Sequence, residues 1–282
     1  LQLQWLPKDR APQMLGWLIA TGSASTLVVY GLIVLLWETF DLSYNLVFMT
    51  AGGVTTAIAL LCLLVYPQFD SPTPQNKKLI LRRRYWLYYL LQFMAGARRQ
   101  IFVVFAGFMM VERFGFDVHE VTGLFLINLV INILVAPLLG RFVAYFGERR
   151  TLVIEYTGLT LVFALYGGIY WFGWGVLLAA CLYVVDHVLF ALALALKTYF
   201  QKIADPADIA PTAAVAFTIN HIAAVFLPVL LGLLWVVSPA LVFVLAALMA
   251  LLSLGLSCLI PRHPSPGNET IFAKFRLAAA AE

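Results

Sequence analysis

Charge is what this chain has least of. Asp, Glu, Lys and Arg make up 11% of its 282 residues, against 63% hydrophobic residues and a mean hydropathy of +0.93. A soluble domain of this length needs a charged exterior over its core, so the composition excludes one. Cysteine is scarce too. Cys62, Cys181 and Cys258 lie in apolar runs without metal-ligand spacing, which excludes a disulfide framework and a zinc site. The chain has no HExxH pair, no GxSxG elbow and no glycine loop leading into Lys-Ser/Thr. No catalytic set, metal or cofactor is therefore expected, and an enzyme is not. Neither an initiator Met nor a signal-peptide pattern opens the chain at Leu1, so a fragment or a processed product is expected. The tail Leu277–Glu282 is low-complexity and carries no argument.

Long hydrophobic runs are what the chain has instead. Hydropathy predicts eight spans: Met14–Trp37, Leu46–Tyr66, Tyr85–Val111, Val121–Tyr145, Leu152–Trp171, Gly175–Tyr199, Ile209–Val237 and Ala240–Ile260. None alternates with the period of a barrel strand, so the fold class is an all-α polytopic membrane protein of eight transmembrane helices. Pro137 and Pro228 fall inside spans and are expected to bend helices without ending them. Trp37, Trp86, Trp171 and Trp174 fall at span ends, as interface anchors do. Gly22, Gly52 and Gly53 read as close-packing positions.

The basic residues set an orientation. One set of span ends carries Lys8, Arg10, Lys77, Lys78, Arg82, Arg83, Arg84, Arg141, Arg149, Arg150, Lys197, Lys202, Arg262, Lys274 and Arg276. The opposite set carries Arg113 beside Glu38, Asp41, Glu112, Asp117 and Glu120. The positive-inside rule then places both termini in the cytoplasm, in a plasma (bacterial inner) membrane. The net charge of +4 is mainly this signal. It implies contact with membrane lipid heads and no nucleic-acid partner.

A basic, proline-containing segment at 67–84 divides the chain. Residues 1–66 hold two spans, 85–262 hold six, and 263–282 form a cytoplasmic tail. The six divide into Tyr85–Trp171 and Gly173–Ile260, three spans each, the division produced by internal repeats in transporters.

The turn after the fourth span reads Gly140-Arg-Phe-Val-Ala-Tyr-Phe-Gly147-Glu-Arg149-Arg150. It resembles the cytoplasmic signature of the major facilitator superfamily: Gly, an Asp-Arg pair, Gly and two basic residues. Gly140 and Gly147 allow close helix approach and a tight turn, while Arg149 and Arg150 can meet helix-end carbonyls and lipid phosphates. Ala144 stands at the family's Asp and Tyr145 at its first basic residue, so the ion pair attributed to that Asp is not carried over. The resemblance implies helices five to twelve of a twelve-helix transporter, the last six forming its C-terminal bundle. The missing N-terminal helices, or a partner chain supplying them, would complete it. The Gly-Pro fifth-helix pattern of drug/proton antiporters does not occur in Met14–Trp37.

Polar residues at mid-depth mark the candidate site. Arg98 and Arg99 lie about 20 Å from either end of Tyr85–Val111, counting about 1.5 Å per residue. A charge there costs about 2.5–3.5 kcal/mol on insertion scales, so it must face protein, water or a ligand. Asp186-His187, Asn220-His221, and Asn128 with Asn132 one turn apart lie at similar depth. The resemblance implies that the third and sixth spans line a central cavity, with the fourth and seventh beside them.

Two guanidiniums suit a carboxylate or phosphate. Adjacent helix residues point about 100° apart, so one arginine can face the cavity while the other pairs internally, with Asp186 the expected partner. His187, His221 and Asp186 could couple transport to protons. Each also has a structural reading: an Arg98–Asp186 pair that only ties two helices, histidines bonded to carbonyls, asparagines as interhelical glue, and Glu155 paired with Arg149 or Arg150. The expected function is a secondary active transporter, by symport or antiport, of a small anionic solute. The alternative is a non-transporting scaffold or assembly subunit that keeps this fold.

Overall fold

The structure, a computed structural model, describes residues 2–40, 43–65, 73–76, 78–79 and 81–273. Asp41, Tyr66, Lys77, Lys274, Arg276 and the tail, all used above, lie outside the described residues. Among the described residues, eight helices are long and apolar enough to cross a membrane. They are α1 (Ala11–Phe40), α2 (Tyr44–Val65), α3 (Arg83–Phe114), α4 (Val118–Phe146), α5 (Glu148–Phe172), α6 (Val176–Ile203), α7 (Ile209–Val237) and α8 (Pro239–Cys258). The chain is an all-α polytopic membrane protein, with no β-strand among the described residues.

Local chemistry sets the helix ends. Gly115 ends α3 and Gly173 ends α5 in the left-handed conformation, at φ of 70° and 67°, which costs a glycine nothing. Asp117 caps α4 by accepting from the Glu120 amide at 2.9 Å, and Glu120 returns the bond to the Asp117 amide at 3.0 Å. Helices α4 and α7 continue past Pro137 and Pro228 without ending. Two irregularities were not expected. A π-helical segment, Ile101–Ala106, follows the arginine pair in α3. In α6, the helix is interrupted at Leu192 and Ala193, between Val176–Ala191 and Leu194–Ile203.

The last six helices pair in a pattern with its own symmetry. The contacts include α3 with α7, α4 with α6, α5 with α8, α3 with α8, α5 with α6, α4 with α5, α7 with α8, α3 with α6 and α3 with α4. Exchanging α3, α4, α5 for α6, α7, α8 turns each of these pairs except α3 with α4 into a pair of the same set. Between them lies an aromatic core that includes Tyr85, Tyr156, Phe163, Tyr166, Tyr199, Phe200 and Phe243.

The leading helices are held differently. Helix α1 lies on α4 at a small-residue crossing: a Cβ on Gly16 would stand 2.5 Å from the Ala136 carbonyl oxygen, and one on Gly140 would stand 2.6 Å from that of Pro12. With lipid outside, such close backbone approach supplies the attraction that water supplies in soluble proteins. Gly140→Ala is expected to lower the melting temperature by about 3–8 °C. Gly232→Ala, with open space around it, should leave it unchanged or higher, as thermal unfolding in detergent would show. Helix α2 buries none of its described residues. Nothing lies within 4 Å of a Cβ on Gly22, Gly52 or Gly53, so these three are not packing positions among the described residues, contrary to expectation.

Candidate functional site

A cavity of about 650 Å³ lies between α3, α6 and α7. Each wall is a helical stripe. Tyr88, Gln92, Ala95 and Arg99 come from α3; His187, Phe190, Ala191, Leu194 and Lys197 from α6; Ala213, Ala216, Phe217, Asn220 and His221 from α7. Arg98 of α3, Asn132 of α4, Ile19 of α1 and Leu3 also border it. The cavity runs from mid-depth, at Arg99 and Asn220, to the basic end, at Tyr88 and Ile209, about 17 Å away along α3 and α7. At the far end, Phe105, Phe108, Tyr170 and Phe243 surround Trp235, whose indole N–H donates to Glu112 at 2.8 Å.

The two arginines point different ways. Arg98 is buried and forms a short ion pair with the fully buried Glu155 of α5. Its guanidinium also lies over the Phe190 ring, 5.0 Å from the centroid. Arg99 is exposed on the cavity wall, with no ion pair or hydrogen bond to any described residue. The expected partners therefore change. Arg98 pairs with Glu155, not Asp186, because α5 brings Glu155 directly against α3. Glu155 in turn does not meet Arg149 or Arg150, which make no ion pair among the described residues. In the motif turn, Gly147 takes φ +79° and Glu148 pairs with Lys202 at 2.6 Å.

Asp186 is buried just behind the wall, within electrostatic range of Arg98, and neither carboxyl oxygen has a hydrogen-bond partner among the described residues. Asn128 is also buried, without a hydrogen-bond partner among the described residues, and like Asp186 it does not reach the cavity surface. As direct ligands, both are off the wall that Arg99 and Asn220 line. Asn132 and His187 are brought together, with Nδ2 and Nε2 2.8 Å apart. Asn220 donates from Nδ2 to the Gln92 carbonyl at 3.2 Å, tying α7 to α3. His221 bonds the Phe217 carbonyl of its own helix through Nδ1, at 2.8 Å.

Lys197 is the residue sequence reading misplaced. Counted there among the basic span ends, it instead lines the cavity, with no ion pair or hydrogen bond to any described residue. The signal was its spacing: His187, Phe190, Ala191, Leu194 and Lys197 continue one stripe at intervals of three and four. No carboxylate lines the cavity among the described residues.

Acidic groups gather at the mouth instead. Asp208 takes both Arg82 Nε and Nη2, at 2.5 and 3.0 Å, and Asn76 Nδ2 at 2.9 Å. Asp205 pairs with Arg84. The segment ahead of α3 is thereby fastened to the start of α7.

Matched against known families, residues 2–228 fit the Major Facilitator Superfamily. The chain belongs to this superfamily. The match covers both leading helices and runs to the Pro228 position of α7, well over half of the chain. A comparison with curated proteins gives no match. Membership makes the protein a major-facilitator-type transporter, and points away from an enzyme. Such a transporter binds a small-molecule solute, and among the described residues the cavity against α3, α6 and α7 has room for one.

Proposed function

We propose that this major facilitator moves a small anionic solute across the bacterial inner membrane by alternating access, coupled to protons. The observation that carries the reading is the cavity wall: it bears Arg99 at mid-depth and no carboxylate among its described residues. A cation so placed is costly unless a ligand's charge meets it, and a guanidinium meets carboxylate or phosphate two bonds at a time. On this reading the basic end is cytoplasmic, both termini lie there, and the cavity opens to that side. Residues 85–262 act as the C-terminal bundle, and 1–66 as the end of the N-terminal one.

Proton coupling falls to Asp186, with His187 and His221 nearer the solute. One guanidinium, Arg98, serves two buried carboxyls, Glu155 by direct pairing and Asp186 through space. One positive charge balances one carboxylate, so the second is a seat for a proton. Arg149 and Arg150, with Gly140 and Gly147, form the cytoplasmic turn against lipid phosphates.

The test is uptake by proteoliposomes, offered radiolabelled inorganic phosphate, succinate, lactate and, as the neutral control, glucose. At least one anion is expected to enter, at a rate that an imposed pH gradient changes, and glucose is not. Arg99→Gln should cut the initial rate by about tenfold or more, the worth of one charge-assisted contact. An unchanged rate in Arg99→Gln overturns the proposal. A second reading, a non-transporting scaffold or assembly subunit, draws on α2, none of whose described residues is buried within this chain. It predicts no uptake of any probe, together with a stable complex on purification.

A further inference from the structure

We infer that the cavity is built for a dianion, held between Arg99 on α3 and Lys197 on α6. This rests on the anion reading above and narrows it. The argument is one of charge. Three cations reach the cavity: Arg98, Arg99 and Lys197. Arg98 is matched behind the wall by Glu155. The acids near the basic end are matched as well: Glu148 by Lys202, Asp205 by Arg84 and Asp208 by Arg82. Asp186 lies off the cavity surface, beside Arg98. Arg99 and Lys197 are left without an acidic partner among the described residues, on two walls of one cavity.

The two cations differ in a useful way. Arg99 offers a planar fork, suited to one carboxylate or one edge of a phosphate. Lys197 is a point charge with three donors on a flexible stem, able to reach the second charge of ligands of different length. The interruption of α6 at Leu192–Ala193 lies between His187 and Lys197, and Lys197 sits on the segment that restarts at Leu194. Around the charges the wall is apolar, from Phe190, Leu194, Ala213 and Phe217. This favours a small ligand with its charge at two points, or a doubly charged phosphate, over an extended polar one. A monoanion would neutralise one cation and leave the other unmatched on the cavity wall. The shared chemistry is a double negative charge at neutral pH, as in dicarboxylates and phosphate monoesters.

The experiment is equilibrium binding to the purified full chain in detergent at pH 7.5, by competition. The probes are succinate, glycerol phosphate, lactate and glucose. Succinate, glycerol phosphate or both should bind at least about tenfold more tightly than lactate. Which of the two binds assigns the dicarboxylate or the phosphate class. Lys197→Gln and Arg99→Gln should each bring that preference to within about threefold, while Lys197→Arg keeps it and shows that the position tolerates substitution. Equal binding of lactate and the dianions, with Arg99→Gln weakening both, overturns the dianion inference and leaves the anion reading standing. A dianion preference that survives Lys197→Gln overturns the role of Lys197. Binding of no anion above glucose overturns both.

Discussion

Arg98→Met is expected to be the most damaging single substitution in the chain, costing about 3–5 kcal/mol. The pair it breaks is almost wholly enclosed, the Arg98 side chain 6% exposed and that of Glu155 fully buried. Removing the guanidinium leaves Glu155 without its counter-ion in a place water does not reach, and leaves Asp186 without the charge nearest to it. For a chain of this size the melting temperature should fall by on the order of 10 °C. Arg98→Met combined with Glu155→Leu should recover most of that loss, because apolar groups of similar volume replace a buried pair at little net cost. Thermal unfolding in detergent, followed by intrinsic fluorescence, measures both. The double variant also separates two roles for the pair. If Arg98 only ties α3 to α5, anion uptake returns with stability. If it balances Asp186 during transport, stability returns and uptake does not. A loss below about 1 kcal/mol for the single variant would mean that water reaches the pair.

Gly96→Ala should be nearly as costly to transport, through geometry alone. A Cβ on Gly96 would stand 2.4 Å from the Asn220 carbonyl oxygen and 3.0 Å from its Cα, both backbone atoms of α7 that no rotamer change can move. Helices α3 and α7 must then separate by about 1 Å, which strains the Asn220–Gln92 hydrogen bond and shifts the stripes facing the cavity. Overpacking against backbone costs about 3 kcal/mol, of which alanine's better helix propensity returns about 1 kcal/mol. A net loss of about 2 kcal/mol is expected, with uptake reduced about tenfold or more, since walls displaced by 1 Å no longer present Arg99 and Asn220 together. Gly123→Ala, with nothing within 4 Å, is the matched control for helix propensity. Equal behaviour of the two variants would show that the α3–α7 crossing is not rigid.

How much of this was legible in the sequence depends on whether a feature is local. The spans were, because about twenty apolar residues in a row have few alternatives: Tyr85–Val111 was expected and Arg83–Phe114 is found. The anomaly of Arg98 and Arg99 was visible for the same reason, a charge at mid-depth being expensive wherever the helix goes. The partner of Arg98 was not. Glu155 lies 57 positions away and one turn inside its span, where an arginine of the adjoining turn looked the nearer choice. Only the contact of α5 with α3 decides otherwise.

Lys197 was hidden by a rule that works on average. Basic residues close to span ends count toward orientation, and nothing in that count says which of them turns back into the protein. The π segment at Ile101–Ala106 and the interruption at Leu192–Ala193 carry no proline or glycine to announce them. They also mark the two helices that bear Arg99 and Lys197.

The central claim is that this cavity draws in anions, and thiol labelling tests it most directly. With the exposed Cys62, Cys181 and Cys258 replaced by alanine, Ala213→Cys places a single thiol on the cavity wall. Its reaction rates with an anionic and a cationic methanethiosulfonate reagent are compared with those of a free small thiol. An acid-free wall carrying Arg99 and Lys197 should favour the anionic reagent by about tenfold or more, and the preference should vanish when both are changed to glutamine. A rate ratio equal to that of the free thiol, or one favouring the cationic reagent, would contradict the account.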